Sequence, residues 1–114
     1  MTGKRRRATP HPQFDSSDAL LDAPVVEELD LHGFTAVEAP RIVRGFLEGW
    51  HRRGAGAGAG AGAVVHIITG RGKGSKGAPV LRRVVAGLLQ GELRPLVADW
   101  ALDDAGGGFK VRLR

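Results

Sequence analysis

The stretch from Val64 to Gln90 constrains this chain most, because three consecutive segments demand three different backbones. Val64-Val65-His66-Ile67-Ile68 is β-branched but for one histidine, the pattern of a strand buried on both faces, as in a parallel pairing. Gly70-Arg71-Gly72-Lys73-Gly74-Ser75-Lys76-Gly77 follows, four glycines that let the backbone turn tightly and present its N–H groups. Pro79 then sits in a first helical turn, and Val80, Leu81, Val84, Val85, Leu88 and Leu89 form one apolar stripe that Gly91 stops. Free amides, a helix N-terminus and three cations around one loop make an anion site, with phosphate the best match.

The strands and helices around this unit can be read the same way. Glu27 to His32 alternates, with Leu29 and Leu31 on one side and Glu28, Asp30 and His32 on the other, which predicts a strand ended by Gly33. Thr35-Ala36-Val37-Glu38 matches a capping box, and Ala39, Ile42, Val43, Phe46, Leu47 and Trp50 repeat at helical spacing behind it. Pro40, inside the first turns, must either remove a hydrogen bond or shift the helix start. Gly54 to Ala63 alternates glycine and alanine and reads as a flexible spacer. Leu96 to Leu102 is a third strand, Ala105 to Gly108 a turn, and the last strand sets Phe109, Val111 and Leu113 against Lys110, Arg112 and Arg114. The order βαβαββ predicts an α/β (α+β two-layer sandwich) fold, a four-stranded mixed sheet with two helices on one face. Residues 1–24, rich in proline and charge and without periodicity, read as a disordered basic tail before one domain over 25–114.

Charge placement narrows the function. The 114-residue chain carries +5, yet Arg71, Lys73, Lys76, Arg82 and Arg83 alone supply +5 over 70–83, and Lys110, Arg112 and Arg114 add three more. The remainder is therefore acidic, at −3, so positive charge is gathered where a polyanion would meet it. With no cysteine there is no disulfide partner and no thiolate metal site. No apolar run reaches the roughly 20 residues of a membrane helix, and Lys4 to Arg7 has no apolar segment behind it, so a cytoplasmic location is expected.

Individual motifs separate the chemistries. Gly72 to Gly77 satisfies G-x-G-x-x-G literally, but one βαβ unit and a strongly cationic loop do not suit a dinucleotide fold. A Walker A loop fails because Gly74 follows Lys73. Asp30 and His32, two apart on a strand, would share a face. A carboxylate beside an imidazole can orient it or share a divalent ion such as Mg²⁺ or Mn²⁺, both useful in phosphodiester hydrolysis. His66, within an apolar strand, reads as a satisfied core histidine.

Leu29-Asp30-Leu31-His32-Gly33 resembles the LDLHG signature of the Smr (small MutS-related) domain, and Thr69-Gly70-Arg71-Gly72 resembles its TGxG loop. Ser75 to Arg82 and the closing glycine turn with its basic strand are also similar to stand-alone bacterial members, so the resemblance spans residues 27–114. It implies nucleic-acid binding and, in several members, DNA nicking or RNA cleavage, with Asp30 and His32 as the catalytic pair. Thr69, Gly70, Arg71, Gly72, Lys73, Gly74 and Lys76 would hold backbone phosphate, and Arg82, Arg83, Lys110, Arg112 and Arg114 would extend the track. Asp104-Ala105-Gly106 stands where stand-alone relatives often carry a histidine, which keeps a non-catalytic adaptor for structured DNA or RNA as the alternative.

Overall fold

A computed structural model describes residues 20–57, 62–70, 78–103 and 106–114. Within them the elements are β1 (Glu27–Asp30), α1 (Ala39–Ala57), β2 (Val64–Ile68), α2 (Ala78–Gln90), a 3₁₀ turn (Arg94–Leu96), β3 (Val97–Leu102) and β4 (Gly108–Leu113). The strands lie in the order β1-β2-β4-β3, with β1 and β2 parallel and the other two pairings antiparallel. The expected four-stranded mixed sheet is therefore present.

Alternation along each strand decides which side chains meet the helices. Leu31, Val65, Ile67, Phe109, Val111 and Leu113 join Ala39, Val43 and Leu47 of α1 and Leu81, Val85 and Leu89 of α2 in one buried cluster. Both helices thus cover the same face. Each large side chain buried there contributes about 1.5–3 kcal/mol of transfer free energy. Val80, read as part of the α2 stripe, is 41 % exposed and lies off the packed face.

The capping box starts α1 as read. Glu38 Oε1 accepts the Thr35 N–H at 2.9 Å, and the Thr35 hydroxyl oxygen accepts the Glu38 N–H at 3.2 Å. The Thr35 carbonyl already accepts the Ala39 N–H at 3.0 Å, so Pro40 lies inside the first turns; it leaves out the bond to the Ala36 carbonyl, and the regular helix begins only at Ala39. At the other end α1 runs through Ala57, four residues into the glycine–alanine stretch expected to be spacer.

The opposite face of the sheet is not open. Residues 20–22 are helical and Leu20 is fully buried. Lys110, which alternates away from the helices, donates its ammonium to the carbonyls of Leu21 at 2.5 Å and Ala23 at 3.0 Å. The end of the expected tail is therefore a strap fastened across this face. It packs because Val64 and Ile68, also buried, lie outside the helix-side cluster and need cover of their own.

Candidate nucleic-acid interface

One edge of the sheet collects the motifs. Because β1 and β2 run parallel, their C-terminal ends finish together, and antiparallel β4 begins there. Asp30 is in register with Ile68, and the Leu31 N–H donates to the Ile68 carbonyl at 2.8 Å as the last rung. The chain then leaves β1 through His32 and Gly33, and leaves β2 through Thr69 and Gly70 toward the basic loop. Carboxyl ends of parallel strands are where α/β sheets place ligands.

His32 departs from the expected geometry. The strand stops at Asp30, and His32 lies in a turn, so the two side chains do not emerge from one strand face. The cause is local. Asp30 Oδ1 accepts the backbone N–H of His32 at 2.8 Å, an Asx turn, and Gly33 adopts φ +90°, which ends the ladder. Asp30 and His32 remain neighbours and both are exposed, but the carboxylate holds the backbone of the turn instead of the imidazole.

Thr69 and Gly70 are buried. The Gly107 carbonyl accepts hydrogen bonds from the N–H groups of Thr69 at 2.9 Å and Gly70 at 3.2 Å, and from the Thr69 hydroxyl at 3.3 Å. These bonds anchor the root of the loop. Arg71, Gly72, Lys73, Gly74 and Lys76 lie outside the described residues. On α2, just beyond the loop, Arg83 is exposed and Arg82 half-buried.

The basic row of β4 does not adjoin Asp30, since β2 lies between β1 and β4. The ammonium of Lys110, expected on the phosphate track, is engaged here by two backbone carbonyls of the strap. Arg112 is in register with Asp99 across β3, and exposed Arg114 lies beyond the end of β4. This end of β4 is the one remote from the loop edge.

A cluster that sequence reasoning left unconnected lies behind that edge. The His66 ring is sandwiched, with Nδ1 3.3 Å from Glu28 Oε2 and Nε2 2.8 Å from Asp103 Oδ2. The other oxygen of Asp103 accepts the Gly107 N–H at 3.1 Å. The expectation of a satisfied core histidine holds for the ring, but its partners come from β1 and from the end of β3. Only the register of β1 on β2, which sets Glu28 beside His66, and the β3–β4 turn bring them in. Among the described residues, no three His, Asp or Glu side chains gather as a metal site. Glu28 and Asp103 approach opposite ring nitrogens and so do not converge on a common point. Asp30 and His32, the pair considered for a divalent ion, are joined by no third such side chain among the described residues.

Among the described residues no helix is long and apolar enough to cross a membrane. No curated protein and no solved structure matches the chain. The family model of the Smr domain, a nucleic-acid-binding and endonuclease-type family, matches residues 29–110, most of the chain and both edge motifs. The chain belongs to the Smr domain family.

Proposed function

We propose that this chain binds structured nucleic acid along its loop edge and hydrolyses the phosphodiester backbone there, nicking DNA or cleaving RNA. The observation that carries the reading is the hydrogen-bonded adjacency of the two motifs. The Leu31-to-Ile68 bond at 2.8 Å leaves exposed His32 on one strand end beside the root of the glycine loop on the next.

In this reading the loop amides with Arg71, Lys73 and Lys76 hold the phosphate, and Arg82 and Arg83 on α2 continue the track. Contacts of this kind go to the backbone, so the preference is for structure over sequence. The imidazole of His32 acts as the general base and takes the proton of the attacking water. Water oxygen bonds to phosphorus, the bond to the leaving sugar oxygen breaks, and solvent protonates that oxygen. Asp30 fixes the turn that carries the imidazole.

The test is cleavage of labelled supercoiled plasmid and of structured RNA in Mg²⁺, Mn²⁺ and EDTA, wild type beside Asp30→Ala and His32→Ala. Cleavage should fall in both variants, and further in His32→Ala than in Asp30→Ala. Full cleavage in either variant would refute its assigned role, and salt-sensitive binding without cleavage in any condition would make the protein an adaptor.

A further inference from the structure

The glycine turn that anchors the loop root is itself held by a carboxylate, Asp103, and this separates positioning from charge. We propose that Asp103, supported by His66, is a positioning residue for the phosphate-binding loop. The inference rests on the reading above.

The Asp103 side chain is only 18 % exposed. One carboxylate oxygen meets His66 Nε2 at 2.8 Å and the other accepts the Gly107 N–H at 3.1 Å. Its own N–H donates to the Gly108 carbonyl at 2.9 Å, and its carbonyl accepts the Gly106 N–H at 3.0 Å. The turn into β4 is thus wound around this one residue. The Gly107 carbonyl is in turn the acceptor for both amides and the hydroxyl that open the loop. A chain of hydrogen bonds runs His66, Asp103, Gly107, then Thr69 and Gly70, whose last member is the first residue of the glycine loop. His66 is itself held on its far side by Glu28 of β1, the strand that ends in Asp30. The network therefore ties the β1 motif, the loop root and the glycine turn into one frame, and a displaced frame misplaces the donors that meet phosphate.

Charge alone predicts the opposite outcome. Removing an anion close to a polyanion site should tighten binding, whereas loss of the frame should weaken it. Asp103→Ala and Asp103→Asn remove the same charge, but the asparagine oxygen can still accept the Gly107 N–H. The experiment measures affinity for a labelled structured RNA and a branched DNA at fixed salt, with amide hydrogen exchange on the full chain. Asp103→Ala should weaken binding about tenfold, as expected for loss of a charge-assisted bond, while Asp103→Asn stays within about threefold of wild type. Exchange at Thr69, Gly70 and Gly107 should quicken in the alanine variant and much less in the asparagine variant.

Wild-type or tighter binding by Asp103→Ala, with unchanged exchange at those amides, would overturn the inference and leave the proposed function standing. If the wild-type protein binds neither probe, the proposed function falls, and exchange alone then decides: quickened amides in Asp103→Ala support the frame and unchanged ones overturn it. Should Asp103→Ala fail to fold, His66→Ala removes the ring contact and leaves the Asp103–Gly107 bond. It should shift affinity and exchange in the same direction by less, and wild-type values for both would overturn the inference.

Discussion

The same substitution, glycine to alanine, should have opposite signs at two positions of this chain. A Cβ at Gly108 would lie 2.5 Å from the Ile67 carbonyl oxygen, 3.0 Å from His66 Nε2 and 3.1 Å from the Cα of Ile68. The first two atoms belong to the neighbouring strand and to the ring that Asp103 holds, so neither can move away freely. Relieving the carbonyl contact requires a shift of the β2–β4 pair by roughly half an ångström to one ångström, an overpacking that costs about 1–3 kcal/mol. If the ring yields as well, weakening of the His66–Asp103 contact adds about 1 kcal/mol or more. Gly108→Ala should therefore lose about 2–4 kcal/mol. At Gly87, on the exposed side of α2, a Cβ meets nothing within 4 Å. There Gly87→Ala should gain about 0.5–1 kcal/mol, because alanine costs less backbone entropy in a helix. Urea unfolding of the two variants and wild type, read as midpoints with slopes compared, measures both changes. A Gly108→Ala midpoint equal to wild type would refute the close approach of β4 to His66. A Gly87→Ala loss would refute the open helix face.

Three further outcomes follow from particular contacts. Lys110→Met should release the strap, seen as faster proteolysis within residues 20–24, without changing the dependence of nucleic-acid affinity on salt. Arg83→Gln should lower that slope by about one phosphate contact; a similar drop in Lys110→Met would mean that Lys110 leaves the strap to meet phosphate. The bonds from the Thr35 N–H and hydroxyl hold the Glu38 carboxyl below its usual range. Its contribution to the α1 start is therefore present above the ordinary carboxylate range and lost as pH falls below that range through the lowered folded-state value, and acid titration of the amides at 35–39 should show that turn fraying.

Local chemistry was legible wherever a residue's role depends on its near neighbours in sequence. The capping box of Thr35 and Glu38, the inward alternation of Phe109, Val111 and Leu113, and the helical spacing of Leu81, Val85 and Leu89 all follow from periods of 2 and 3.6 and from hydrogen bonds within a few residues. The motifs Leu29 to Gly33 and Thr69 to Gly72 were likewise readable as short strings, and they placed the chain in its family.

What the sequence alone left open is non-local. The order β1-β2-β4-β3 puts β2 between Asp30 and the basic row of β4, a choice made by pairing energies among strands far apart in the chain. The strap reads as tail because its apolar content is short, Leu20, Leu21 and Ala23, of which Leu20 alone is buried. Its stability comes from a lysine about 90 residues away that finds two carbonyls there. His32 left the strand because a carboxylate two residues back captured its amide, a competition that alternation does not register. Tertiary structure also decided the partners of His66. From sequence it could be read only as a polar side chain that needed satisfying. Parallel register brought Glu28 to one nitrogen and the glycine turn brought Asp103 to the other, making it part of the frame behind the loop.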